Sequence, residues 1–166
     1  WRGCHAGTKK RALINAHFHS LLPILPEVQP HMNKSEIIEF FAEEFPHYDK
    51  ISIDEVGEGS ATIRHRIGRQ ELRPGGTVAG PISMLLADVV IYVAILGQLG
   101  RIPLTVTTSL NINFLRKPSA HNDLIAKCQL IKVGKSLIVG KVDLYSDGNP
   151  DLVAHVGDRG HRSGGQ

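Results

Sequence analysis

One stretch constrains this chain more than any other. Residues 82–96 read ISMLLADVVIYVAIL, apolar around the whole circumference of a helix except at Asp88. A helix of that kind in a soluble protein is buried on every side. The run falls short of the roughly 20 residues a membrane span needs, and a carboxylate interrupts it. The rest of the fold must therefore supply a surface that wraps a helix. The approach to the helix is glycine-rich, Gly75-Gly76-Thr77-Val78-Ala79-Gly80-Pro81, with Pro81 suited to a first helical position. Gly97 and Gly100 are expected to close it.

The wrapping surface is legible in the flanking residues. Residues 51–58 and 60–67 place Ile51, Ile53, Val56, Ala61, Ile63 and Ile67 in strand-like runs, with Gly57 and Gly59 at the turn between them. Residues 104–115, 123–133 and 136–145 are three longer strands. Gly134-Lys135 and the stretch from Ser146 to Pro150 supply hairpin turns, and a sixth strand begins at Leu152. Ahead of them, Ile37, Ile38, Phe40, Phe41 and Phe45 fall on one face of a short helix over 33–45, with Asn33 or Ser35 as N-cap and Pro46 at its end. The pattern predicts an α+β fold, a curved antiparallel sheet wrapped around one long central helix.

At 166 residues the chain holds one domain with a real core. We expect that domain over 32–156. Residues 157–166 hold four glycines and are expected to be a frayed tail. Residues 1–31 mix Gly, His, Lys and Pro without a period. They read as a basic targeting segment or, preferably, as sequence upstream of a start at Met32, outside the core. The net charge of +3 sits entirely in that segment, where Arg2, Lys9, Lys10 and Arg11 face Glu27 alone. The remainder is balanced, so a nucleic-acid-binding face on the body loses its support, and neither nucleic acid nor membrane is expected as a partner. Cys4 and Cys128 are far apart, which argues against a disulfide framework and for a reducing, cytoplasmic setting. The nine histidines are scattered, and no metal-ligand set is read from them.

The glycine loop, the apolar helix with one acid, and a strand reading Thr107-Thr108-Ser109-Leu110-Asn111-Ile112-Asn113-Phe114-Leu115-Arg116-Lys117-Pro118 together resemble the hotdog-fold thioesterases, most nearly the phenylacetate-pathway type. The resemblance covers roughly residues 35–156. In that family a His-Gly-Gly turn precedes the helix, and an acid lies nine residues after the His. Here Ala79, Gly80 and Pro81 fill the turn, and Asp88 stands nine after Ala79. The family His is thus Ala79, the second glycine is Pro81, and an Asn six residues before the His is Arg73.

The resemblance implies hydrolysis of an acyl-CoA thioester to free acid and CoA, with no cofactor, the CoA thioester being the substrate. Such chemistry needs an activated water or nucleophile and a stabilised oxyanion. A helix N-terminus offers unsatisfied N–H groups and a positive dipole end. Gly80 is the implied oxyanion donor, with Ile82 N–H as a possible second. Asp88 is the candidate base or nucleophile, and burial in an apolar helix is expected to raise its pKa. Thr107 occupies the position of a family Ser or Thr that positions the attacking water, and Thr108 is its neighbouring alternative. Arg116 and Lys117 are candidate CoA phosphate contacts, and Arg73, Ala79 and Pro81 complete the expected substrate surface.

Asp88 lies seven residues after Pro81, about 10 Å along a helix axis. One thioester cannot touch both ends within a single helix, so the site is expected to combine Gly80 of one subunit with Asp88 of another, in a dimer or dimer of dimers. Two other functions compete. A hydratase or dehydratase of the same fold would want a His paired with an acid near the helix start, where Ala79 stands, and a non-catalytic acyl-CoA binder would tolerate Ala79 and Pro81.

Overall fold

The computed structural model describes residues 32–102 and 105–162. The expectations for residues 1–31 lie outside them. Helix α1 (Lys34–Glu44) starts at Asn33, whose side chain accepts the Glu36 N–H while the Glu36 carboxylate accepts the Asn33 N–H. This reciprocal capping box satisfies two first-turn donors. Then follow β1 (Ile51–Gly57), β2 (Ser60–His65), a 3-10 turn (Arg69–Glu71), β3 (Leu72–Arg73) and β4 (Thr77–Val78). Helix α2 (Gly80–Leu99) comes next, then β5 (Thr105–Phe114), β6 (Leu124–Val133), β7 (Leu137–Ser146) and β8 (Leu152–Arg162).

Six strands form one sheet in the order β1-β2-β6-β7-β8-β5, every neighbouring pair antiparallel. It packs against α2. Leu86, Ala87, Val90, Val93, Ala94 and Leu96 are fully buried against Ile63, Leu124, Ala126, Val142, Leu144 and Val156 of the sheet. Each valine, leucine or isoleucine among them contributes about 1.5–3 kcal/mol by leaving water. This is the hotdog architecture, α+β, with its helix at the centre.

Two expectations need correction. Gly97 does not close α2, which runs on to Leu99 and is capped by Gly100, whose φ of 75° is open to glycine. Gly97 is instead buried against β1, where an added Cβ would meet Val56 Cγ1 at 2.7 Å, so glycine is what lets helix and strand approach. Nor is the segment from Gly157 a frayed tail as far as Arg162. It continues β8, paired on one side with β7 and on the other with β5. Backbone hydrogen bonds from two neighbours hold it, so glycines and polar residues suffice where apolar side chains were sought.

Candidate active site

The turn into α2 is built by a two-residue ladder. Leu72 and Arg73 pair with Val78 and Thr77. Gly75 and Gly76 make the return at φ values of 100° and 69°, a region open to glycine, and the Gly76 N–H donates to Arg73 O. The Ala79 N–H donates to Glu71 O at 2.8 Å, and the Ile82 N–H donates to Ala79 O at 3.0 Å. The expected second oxyanion donor at Ile82 is therefore already used within the turn. Pro81 has no N–H, which leaves Gly80 N–H, at the first helical position, as the open donor at the dipole's positive end.

This turn is pinned from below by a pair that the sequence did not bring forward. Buried Glu71 accepts from Lys50 Nζ at 2.6 Å and from the Gly68 N–H at 2.7 Å, while its own carbonyl holds Ala79. Burial alone pushes this carboxyl up, but the bonds from Lys50 and Gly68 outweigh it and hold the group below its ordinary value of 4.5. An ionised Glu71 thus fixes the backbone that presents Gly80. Its signal was faint, one acid inside a basic loop.

Two turns further along α2, Thr107 Oγ1 donates to Asp88 Oδ1 at 2.6 Å. The contact depends on an irregularity in β5. Leu110 and Ile112 pack on the core, so strict alternation would aim Thr108 inward; a register shift between Thr107 and Ser109 resets it and turns Thr107 to the helix. Val106 points away, 52% exposed. Thr108 lies within the bulge. Asp88 itself is exposed, contrary to the burial expected of it. The sheet covers only one side of α2, and Pro81, Met84 and Asp88 share the face it leaves open.

The candidate residues gather in two clefts that have no lining residue in common. One, of about 440 Å³, holds Arg73, Gly80, Ser83, Phe114, Arg116 and Lys117. Ala79, half-buried, caps the helix at its rim. Arg116 also lies 3.7 Å from Asp151. The Ser83 hydroxyl, buried in the first turn of α2, has no hydrogen-bond partner among the described residues. The other cleft, of about 750 Å³, holds Asp88 and Thr107 together with Phe40, Phe41, Phe45, Tyr48 and Tyr92. The sequence placed Phe40, Phe41 and Phe45 on the apolar face of a short helix, and their rings wall this cavity. Tyr92, one turn after Asp88 on the same face, carried a spacing signal that went unused.

The thioesterase superfamily profile matches residues 75–153, which contain both α2 and β5. A solved protein of Silicibacter sp. TM1040, provisionally described as a thioesterase, is 36% identical, with a TM-score of 0.75 over 83% of this chain and 95% of that one. Zebrafish thioesterase superfamily member 2 is 22% identical, with a TM-score of 0.71 over 80% of this chain and 99% of that one. The PaaI protein of the Escherichia coli phenylacetic acid degradation operon is 24% identical, with a TM-score of 0.69 over 78% of this chain and 92% of that one. No curated protein matches the chain.

Proposed function

The chain belongs to the thioesterase superfamily and is a thioester hydrolase of hotdog fold, and from that premise we propose that it hydrolyses acyl-CoA at a site shared between two copies. Gly80 N–H of one copy receives the thioester carbonyl oxygen, and Asp88 of the other faces the carbonyl carbon. Asp88 takes a proton from water as the water oxygen bonds to that carbon. The developing oxyanion is held by Gly80 N–H and the α2 dipole. When the C–S bond breaks, Asp88 returns the proton to the CoA thiolate, leaving the free carboxylic acid, which ionises by releasing its own proton to solvent. Thr107 donates to one Asp88 oxygen and leaves the other for the water. Arg73, Arg116 and Lys117 gather in the Gly80 cleft, where the CoA phosphates would meet positive charge. Ala79 and Pro81 flank Gly80 at the start of α2 and fix its backbone, and Thr108 lies in the bulge beside Thr107.

The observation that carries this reading is the division of the site. Gly80 and Asp88 line separate clefts on one helix, so neither cleft alone brings together both halves of the proposed chemistry. The open face of α2 and the outer edge of β5 are the surfaces a second copy would cover, with Met84 41% and Phe114 53% exposed there. Complementation tests it. Asp88→Asn and Gly80→Val are each expected to be inactive in thiol release from acyl-CoA. Subunits of the two, unfolded together and refolded as a mixture, should recover up to about a quarter of wild-type turnover, because random pairing leaves one intact site in half of the dimers. No recovery from folded, mixed dimers would refute the shared site.

A further inference from the structure

The cavity beside Asp88 contains polar groups that thioester cleavage does not use. Tyr92 follows Asp88 by four residues, so its backbone stands about 6 Å further along the axis on the same face of α2, and both side chains line one cavity. The ring is held by Phe40, Phe41 and Phe45, with centroids 6.3, 6.1 and 6.1 Å away. No hydrogen bond among the described residues involves its hydroxyl. Burial, and then the nearby Glu44 carboxylate, push the phenol above its ordinary value, with Arg101 opposing, so at neutral pH it is a neutral donor. Glu44 and Arg101 line the same cavity, and Arg101 lies over the Phe40 ring at 4.8 Å.

Resting on the reading that Asp88 faces the thioester carbonyl, we propose that this cavity takes the acyl group and that Tyr92 selects acyl chains bearing a hydroxyl at their far end. A plain alkyl chain would fill the aromatic walls but leave the phenol without an acceptor. A carboxylate would meet the Glu44 charge as well as Arg101. An alcohol alone suits both neighbours, accepting from Tyr92 and donating to Glu44. The backbone rise of about 6 Å from Asp88 to Tyr92 is matched by the length of a chain of about six carbons.

The test compares hexanoyl-CoA, omega-hydroxyhexanoyl-CoA and adipoyl-CoA in wild type and Tyr92→Phe. The variant keeps the ring and removes only the donor. Wild type should favour the hydroxy substrate in kcat/KM over hexanoyl-CoA, and Tyr92→Phe should reduce that preference by about 3- to 10-fold, the scale of one neutral hydrogen bond. Hexanoyl-CoA turnover should stay within about 2-fold of wild type, because packing is conserved. Equal loss on both substrates, no preference in wild type, or a preference for adipoyl-CoA would each overturn the assignment. Calorimetric binding of the corresponding non-hydrolysable thioethers reads the same selectivity without turnover. If Asp88→Asn is fully active while the Tyr92→Phe binding ratio shifts as stated, the reading of Asp88 fails and the selectivity stands. If Asp88→Asn is inactive and the ratio does not move, the selectivity fails and that reading stands.

Discussion

At the residue scale, the proposed chemistry turns on a carboxylate that a single chain leaves in the open. Asp88 was legible because it is the one charge in an apolar helix; its exposure was not, because sequence periodicity cannot say how far around a helix the sheet reaches. Asp88→Asn keeps the shape and the bond from Thr107 but removes the basic oxygen. Turnover of an acyl-CoA substrate should fall about 100-fold or more, with the melting temperature nearly unchanged. Thr107→Val removes the donor that orients Asp88. A fall of about 10-fold in kcat is expected, the low end for a bond to a charged group, with KM held. Steady-state kinetics and thermal unfolding on one preparation check both. An Asp88→Asn enzyme turning over at the wild-type rate would exclude this residue from the mechanism. The choice between Thr107 and Thr108 was open in the sequence, since a one-residue bulge reverses strand alternation without any compositional mark.

At the scale of elements, what could be read depended on what holds each one. The capped helix α1, the central helix and the five long strands β1, β2, β5, β6 and β7 announce themselves through apolar periodicity and turn chemistry, because side-chain burial stabilises them. The outer half of β8 is held by backbone pairing to β5 and β7, so Gly157 and Gly160 gave no warning of it. The turn that presents Gly80 is held by the Lys50–Glu71 pair, whose partners are 21 positions apart. Because Glu71 titrates below 4.5 in the folded chain, its contribution to stability is present above pH 4.5 and is lost as the pH falls through the folded value. Glu71→Gln should therefore lower the melting temperature by a few degrees at neutral pH, and the gap to wild type should narrow as the pH drops below 4.5. Thermal scans across that range check the sign. A gap that widens in acid would mean that Glu71 is destabilising when ionised.

At the scale of the whole molecule, the helix read from sequence as apolar on all sides is covered by its own sheet on one side only. Pro81, Met84 and Asp88 lie along the uncovered side, with Leu85 half-buried between them and Tyr92 half-buried one turn beyond. Leaving such a face in water costs free energy at every apolar group along it, and a two-fold copy laid against it would remove that cost while bringing Gly80 of one chain toward Asp88 of the other. Met84 sits between the two proposed catalytic positions and is 41% exposed, so Met84→Lys places a charge where the second copy would press. Sedimentation equilibrium at micromolar concentration should find wild type as a dimer or larger and shift Met84→Lys toward monomer. The circular dichroism of the folded chain should persist, since no buried contact within the sheet is touched. Turnover should fall together with the dimer fraction and recover in part as protein concentration rises, because association is then driven by mass action. The wild-type melting temperature should rise with concentration for the same reason. A wild-type chain that sediments as a monomer and retains full turnover would place both halves of the chemistry within one subunit and refute the divided site.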